Sequence, residues 1–466
     1  MRTEAGVPVV RAITHPRRIG TVAYHLGMIR DTVRWAATHG VMRAAVRREA
    51  RRGNPDAALL LDPELQGDPF AHYERLRAGR PFTQGAFSRV TVHHDVCTEV
   101  LRSEDFGVAN RDGSMPAPVR LALRLAGPPP LPGPIDPPSM LAVDAPDHTR
   151  YRRLVTRAFT ARRVAALRGR TEQIADELLD TLDDGSGPVD LVARYASLLP
   201  VTVISEMLGI PTSMREQFLT WGDGAAASLD LGLPRNQWAS VQDNVAALHE
   251  WMSGHLRRLR AEPGDDLLSS LVTTADDDGS HLSERELVAT ALLVLAAGFE
   301  TTVNLIGSGA RLLLDHPDQR DRLAAEPTLW ANAVDEVLRV ESPVSRTARS
   351  ARRDTVVAGA EVPAGSLVVT VIAGANRDPE VFVDPDVFDV GRENARDHVA
   401  FSSGMHYCLG AALARMEGEV ALRALFERYP DLASAGEPVR RLTRILRGYE
   451  HLPVTTGRVV DRPLTA

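Results

Sequence analysis

Apolar residues recur along this chain with a helical period over most of its length. Spacings of three and four gather them on one face over residues 69–79, 94–102, 147–158, 160–183, 190–208, 238–261, 283–315, 328–340 and 410–428, which are the predicted helices. Strand-like alternation is confined to two short places, 86–93 and 355–371. In the second, Val357-Ala-Gly-Ala-Glu-Val-Pro-Ala-Gly-Ser-Leu-Val-Val reads as turns between short strands. The expected class is mainly α with a small β region. Ser283-Glu-Arg-Glu opens the longest helix, with Ser283 as N-cap and Glu286 completing a capping box. Running to Asp315, it would span on the order of 48 Å at 1.5 Å per residue. Residues 292–297 in its middle are apolar on every side, the pattern of a helix buried all round.

One stretch breaks the periodicity, Gly127-Pro-Pro-Pro-Leu-Pro-Gly-Pro-Ile-Asp-Pro-Pro. Proline removes amide donors and blocks both helix and central strand. The stretch divides two domains or forms a long loop within one. The loop is preferred, because the motifs that belong together fall on both sides of it.

Length and composition change this picture little. A chain of 466 residues allows two or three domains, and 44% hydrophobic with 25% charged residues is ordinary for a soluble globular protein. Two cysteines, Cys97 and Cys408, leave no disulfide framework and point to a reducing, cytoplasmic compartment. No uninterrupted apolar run of about 18 residues occurs, and the N-terminus lacks the order of a secretory signal. No nucleic-acid partner is expected. Charge is unevenly spread: residues 1–53 carry eleven arginines against Glu4, Asp31 and Glu49, a net +8, so the remainder is −15 within a total of −7. In that basic segment Val33, Trp35, Ala36, Met42, Ala45 and Val46 interleave with Arg34, Arg43, Arg47 and Arg48. Two readings stay open, a peripheral membrane contact through residues 1–53 and a basic helix packed on an acidic body.

The chemistry is concentrated at Phe401-Ser-Ser-Gly-Met-His-Tyr-Cys-Leu-Gly-Ala-Ala-Leu-Ala-Arg. A glycine-containing loop delivers Cys408 and runs directly into a helix. Unpaired amides and the positive end of the helix dipole at that point favour a thiolate and can tune its donation to a bound iron. Gly404 and Gly410 permit the turn and a close approach of backbone to a flat ligand, and Phe401 can shield the sulfur. A lone cysteine is more often an inert core residue. The spacing Phe-x-x-Gly-x-x-x-Cys-x-Gly, however, should arise by chance in roughly a few chains per ten thousand. A second cluster, Ala297-Gly-Phe-Glu-Thr-Thr, puts a carboxylate and two hydroxyls at the centre of the buried helix, where they are costly without a purpose. Gly298 and a threonine competing for the carbonyl four residues back could open a small groove there.

The cysteine loop resembles the haem-binding signature of the cytochrome P450 family, and the chain from about Asp68 to Pro453 agrees with it in order and spacing. The departure is Ser402, where many relatives have glycine. The resemblance implies a triangular-prism fold, with residues 61–466 as a single haem domain and residues 1–60 as a basic extension outside it. It implies haem b held by Cys408, with Phe401, His406 and Gly410 in the loop around it. His148, Arg152, Arg349 and His406 match the grips on the haem propionates, which need cationic or donor partners. Glu300 and Thr301 match the acid–alcohol pair, Thr301 steadying the activated oxygen and Glu300 passing protons inward. Glu336, Arg339 and Arg392 match a structural salt-bridge cluster.

The same resemblance places Leu293, Ala296, Ala297, Val344, Ile445 and Leu446 around the substrate, which should therefore be apolar: a lipid, terpenoid, steroid or polyketide. The loop near 107–138 would cover it. Electrons would come from a ferredoxin and its reductase, since no flavin or nicotinamide motif follows Pro453. Helical phase assigns Arg150 and Arg153 to a basic dock for an acidic electron carrier. The implied reaction is the insertion of one atom of dioxygen into a C–H bond or double bond. A peroxygenase and a haem-thiolate carrier or sensor are the rivals, and the Glu300–Thr301 pair argues against both. A cysteine hydrolase is weaker, because only His406 could serve Cys408 as a base.

Overall fold

The computed structural model describes residues 29–460, apart from 86, 109–116, 128–130, 132, 160, 184, 186, 231, 276–278 and 280. The helices that frame the site are α1 (Val41–Arg51), α2 (Phe70–Arg77), α3 (His94–Arg102), α4 (Ala117–Ala126), α5 (Asp147–Ala158), α6 (Arg168–Leu179), α7 (Leu198–Met207), α8 (Arg215–Ala226), α9 (Arg235–Ala261), α10 (Glu284–Asp315), α11 (Trp330–Val340) and α12 (Ala411–Arg428). The main core lies where α6, α7, α10, α11 and α12 meet, around Ile174, Leu199, Leu292, Val303, Val337 and Leu422. Helix α10 is apolar and long enough to cross a membrane by composition alone, but 72% of its most apolar window is buried inside the protein. It is the central core helix.

The β region is a five-stranded sheet built from β1 (Thr83–Gln84), β2 (Arg89–Thr91), β3 (Phe106–Val108), β4 (Thr347–Ala351) and β5 (Leu367–Thr370), in the order β1-β2-β5-β4-β3. Strands β2 and β5 run parallel with Val90 opposite Val369. Strand β4 is antiparallel to both neighbours, with Arg349 opposite Val108 and Val368. Shorter pairs and a three-stranded ribbon near the C-terminus complete it.

The capping box forms as expected: the Glu286 amide donates to Ser283 Oγ (3.3 Å) and the Ser283 amide to Glu286 Oε2 (2.8 Å). Two predicted helices are interrupted. Residues 160–183 divide into Ala161–Ala166 and α6, with a turn at Leu167. Residues 190–208 begin as strand Val189–Asp190, paired with Pro453–Thr455. They pass through a π turn at Val192–Ala196 before α7, where Pro200 falls in the first turn and needs no amide partner. Helices α4 and α8 and the short Leu267–Thr273 and Pro317–Ala325 lie outside the expected set.

The described part of the Pro-rich stretch is a loop within the body. Turns at Asp136, Ser139 and Ala142 bring buried Met140 into the main core. The basic N-terminal segment likewise packs on the protein: none of Val33, Trp35, Ala36, Met42, Ala45 and Val46 is exposed, whereas Arg47 and Arg48 are. These six positions are turned toward the body while Ile29 and Val41 are exposed, a balance that favours the packed-helix reading over the membrane one for the described residues. Residues 1–28 lie outside the description. Residues 55–59 already belong to the body, since Leu59 joins a core cluster and Asp56 pairs with Arg346 at 3.1 Å.

Candidate active site

The cysteine loop is held from three directions. The Cys408 amide donates to the Phe401 carbonyl (2.9 Å), closing the loop on itself. Gly404 sits at φ +68°, and a Cβ there would lie 2.5 Å from the Leu101 carbonyl oxygen, so glycine is required by both conformation and space. Gly410, by contrast, has an ordinary φ of −86°, and a Cβ would only touch Cys408 Sγ at 4.0 Å. Its backbone does not need glycine.

Ser402 adopts φ +63°, left-handed backbone that costs a residue with a Cβ. That explains why a glycine suits the position. Ser402→Gly is expected to stabilise the fold by about 1 kcal/mol, read as a higher urea midpoint with an unchanged slope.

Beneath the loop lies a charge cluster that sequence reading missed. Asp335, fully buried, accepts from Arg415 Nε (2.6 Å), Arg396 Nε (3.0 Å) and His398 Nε2 (3.2 Å). Burial opposes its charge, yet the bonds from His398 and Arg415 hold its carboxyl below the usual range. Arg415 also covers the Phe401 ring at 4.6 Å. The only signal in the sequence was an acid adjacent to Glu336.

Glu336, Arg339 and Arg392 come together as a group. Glu336 meets Arg339 Nε at 2.7 Å and Arg392 Nε at 3.0 Å, with Glu336 and Arg339 wholly buried. The remaining guanidinium donors go to the carbonyls of Asn376, Val383, Asp384, Pro385 and Val387. Every charge in the cluster is therefore hydrogen-bonded, the condition under which such a group can be buried at all.

Cys408 is accessible, although the protein packed around it pushes its thiol pKa up. The Gly410 amide and the charges of Arg152 and Arg415 act in the opposite sense. On α10, most of whose side chains are buried, Ala297 is exposed and Thr301 half-buried. The central helix is thus uncovered in its middle, one turn of small residues wide. Thr301 Oγ1 donates to the Ala297 carbonyl (2.9 Å), but α10 remains an unbroken α-helix. Thr302 Oγ1 makes the same back-bond to the Gly298 carbonyl (3.2 Å). Gly298 lets α7 approach, since a Cβ there would stand 3.0 Å from Ile204 Cδ1.

Glu300 is buried and bound to Arg441 Nη1 at 2.8 Å, a partner the sequence did not suggest.

The four proposed propionate grips are drawn to one place. The rings of His148 and His406 lie 4.2 Å apart. Burial, then the charge of Arg152, lowers the His148 pKa. Burial, with the charge of Arg349 and the neighbouring His148, takes His406 down to about 4. Burial also lowers the Arg349 pKa, against the opposing charge of Asp144. His148 Nδ1 and His406 Nε2 are buried without a hydrogen-bond partner. Two desolvated imidazoles with orphaned nitrogens beside the Arg152 and Arg349 guanidinium groups are what an anionic group would satisfy. These residues fit the carboxylates of haem, and accessible Cys408 fits its iron.

Val344, Ile445 and Leu446 also meet: Val344 bridges to Leu446, and the Ser345 amide donates to the Ile445 carbonyl at 2.8 Å. Leu446 lines a cavity walled by Arg346, Arg440, Arg441, Arg444 and Arg447, so one of its sides faces charge instead of the apolar pocket expected. Leu293 is buried and Ala296 half-buried on α10. Arg150 is not a surface dock. It donates to Glu286 Oε1 (3.2 Å) and the His281 carbonyl (2.9 Å), fastening α5 to the start of α10. Arg153 is exposed.

A helical body with an accessible cysteine at a helix start, and a core helix uncovered in its middle, suits the class of haem-thiolate proteins. The cytochrome P450 profile matches residues 229–443. A cytochrome P450 of Mycobacterium tuberculosis, P450 140, is 48% identical over 92% of this chain and 98% of its own. The vitamin D(3) 25-hydroxylase of Pseudonocardia autotrophica is 46% identical over 69% of this chain and 78% of its own. Among solved structures, the myxobacterial cytochrome P450 CYP267B1 with myristic acid superposes with a TM-score of 0.76 at 36% identity, covering 86% of this chain and 99% of that one.

This chain belongs to the cytochrome P450 family. It is a cytochrome P450 monooxygenase with haem b as its cofactor, a member of a family that works with an organic substrate, dioxygen and redox partners. The mycobacterial match covers more of the chain than residues 61–466 alone make up, so part of the N-terminal extension has a counterpart there.

Proposed function

We propose that this enzyme inserts one atom of dioxygen into a small apolar substrate, a lipid, terpenoid, steroid or polyketide. Two electrons and two protons reduce the other atom to water. The observation that carries this reading is the accessibility of Cys408 together with Ala297 and Thr301 in the middle of a mostly buried helix. Cys408 is the iron ligand, and Phe401 and Gly410 belong to the loop around it. His148, Arg152, Arg349 and His406 hold the propionates. Glu336, Arg339 and Arg392, with Asp335, keep the loop in place.

When bound, haem supplies the cleavage of dioxygen, assisted by electron donation from the thiolate. The chain supplies the protons. Glu300 exchanges them with its surroundings and Thr301 presents a hydroxyl at the uncovered turn, an acid–base relay. Leu293, Ala296, Ala297, Val344, Ile445 and Leu446 offer the substrate few hydrogen-bonding groups, consistent with an apolar ligand. Relatives that hydroxylate vitamin D(3) or bind myristic acid point the same way. Residues 61–466 act as a single haem domain in the cytoplasm, with electrons from a ferredoxin and its reductase.

The test is turnover of myristic acid and of vitamin D(3) under labelled dioxygen, with a bacterial ferredoxin and reductase. One labelled oxygen atom per product is expected. Label arriving from water, or product forming without reductase, would overturn the reading.

A further inference from the structure

The N-terminal segment is joined to the body by side chains that all reach for backbone. Arg34 Nη2 donates to the carbonyls of Ala126 and Gly127, each at 3.2 Å. That places a cation on the last carbonyls of α4, where the helix dipole is negative. One residue on, Trp35 Nε1 donates to the Leu233 carbonyl (3.0 Å). His39 Nδ1 accepts the amides of Gly232 and Leu233, both at 3.1 Å, and Arg43 Nη1 donates to the Gly232 carbonyl (2.8 Å). Gly232, at φ +78°, permits this approach: a Cβ there would stand 3.1 Å from Arg43 Cγ. Ten residues thus tie together two segments a hundred positions apart in sequence, the end of α4 and the loop between α8 and α9.

The α8–α9 loop is bonded to the turn that carries the proposed substrate residues, and the chain that follows α4 approaches α9 beside it. In the α8–α9 loop, buried Asp230 accepts the amides of Arg444 (3.0 Å) and Ile445 (3.3 Å), the turn that carries Ile445 and Leu446 beside Val344. Leu233 packs with Val241 and Val245 of α9. A Cβ on Gly133, in the Pro-rich loop that follows α4, would touch Val245 at 4.0 Å. Any separation of the two segments has to break the bonds from Arg34, Trp35, His39 and Arg43.

We propose that residues 34–43 form a clasp across the mouth of the substrate site, with Arg34 and Trp35 as determinants of which molecules are admitted and how fast. The proposal rests on the haem-thiolate reading above, and its test separates the two. In the full-length holoenzyme, the binding of imidazole, a small iron ligand, and of clotrimazole, a bulky one, is followed by stopped-flow absorption. In the Arg34→Ala/Trp35→Ala variant, the three hydrogen bonds to the Ala126, Gly127 and Leu233 carbonyls are lost. Clotrimazole should bind faster by on the order of tenfold, while the imidazole rate stays the same.

An unchanged clotrimazole rate, or an equal rise for both ligands, would overturn the clasp. The carbon monoxide spectrum of the native protein reports independently on the haem reading. Should the double variant lose its haem, Trp35→Phe keeps an aromatic side chain and removes the indole N–H. Faster clotrimazole binding there supports the clasp and an unchanged rate overturns it.

Discussion

Cys408→Ala is expected to abolish the far-red-shifted Soret band of the reduced, carbon monoxide-treated protein, and monooxygenase activity with it. The argument begins from the alternatives. The other cysteine, Cys97, is fully buried, its Sγ 3.7 Å from the Thr91 carbonyl, and burial pushes its thiol pKa far up. It cannot supply a thiolate in place of Cys408. His406, two residues before Cys408, is drawn toward His148 and Asp144. The loop itself should survive the change, because its shape depends on groups other than the thiol: the Cys408 amide on Phe401, Gly404 against Leu101, and Asp335 with Arg415, Arg396 and His398.

Circular dichroism of the variant should therefore be native-like. Any haem retained by His148, Arg152, Arg349 and His406 should show an unshifted band. Cys97→Ala is the control and should leave the spectrum alone. A normal thiolate band in Cys408→Ala would remove the foundation of the site.

The parts of this molecule legible in its sequence are those governed by local rules. Helix α10 was legible from Ser283 to Asp315 because a capping box and a long apolar run are read along the chain. The cysteine loop was legible because its glycines and cysteine fall within ten residues. Glu336 and Arg339 lie one helical turn apart, and Arg392 could be added only through the family resemblance. What escaped depends on distance in sequence.

Arg441 reaches Glu300 from 141 positions away, and nothing near either residue marks the pair. Arg150 has the helical phase of a surface residue, yet Glu286 on another helix captures it. The break at Leu167 and the strand at Val189–Asp190 were hidden for a related reason. Apolar spacing persists through both, and the strand exists only because Pro453–Thr455 lies beside it. Trp35 shows the same limit in the basic segment, where amphipathic spacing cannot tell a lipid surface from a protein one.

Thr301→Ala is expected to separate electron consumption from product formation. The Thr301 hydroxyl lies at the half-buried turn beside exposed Ala297, and its proton is engaged by the Ala297 carbonyl at 2.9 Å. Its oxygen lone pairs are then left to accept a hydrogen bond from the site, and the residue can relay a proton by exchanging one donor for another. Glu300, one residue earlier, has its carboxylate held by Arg441. The acid is thus fixed by a charge partner, one position along the helix from the hydroxyl.

Alanine retains the helix, since it has the higher helical propensity and the back-bond it removes is not part of the ladder. A loss of function would therefore not be a loss of fold. Without the hydroxyl, dioxygen should accept two electrons and two protons and leave as hydrogen peroxide instead of being cleaved. Product per electron pair should fall by about tenfold or more, with hydrogen peroxide rising to match and the thiolate band unchanged. Thr301→Ser, which keeps a hydroxyl, should recover most of the coupling. If Thr301→Ala matched the native protein in product per electron, proton delivery would have to run through Glu300 alone. Arg441, which sets where that carboxylate points, would then be the residue to change next.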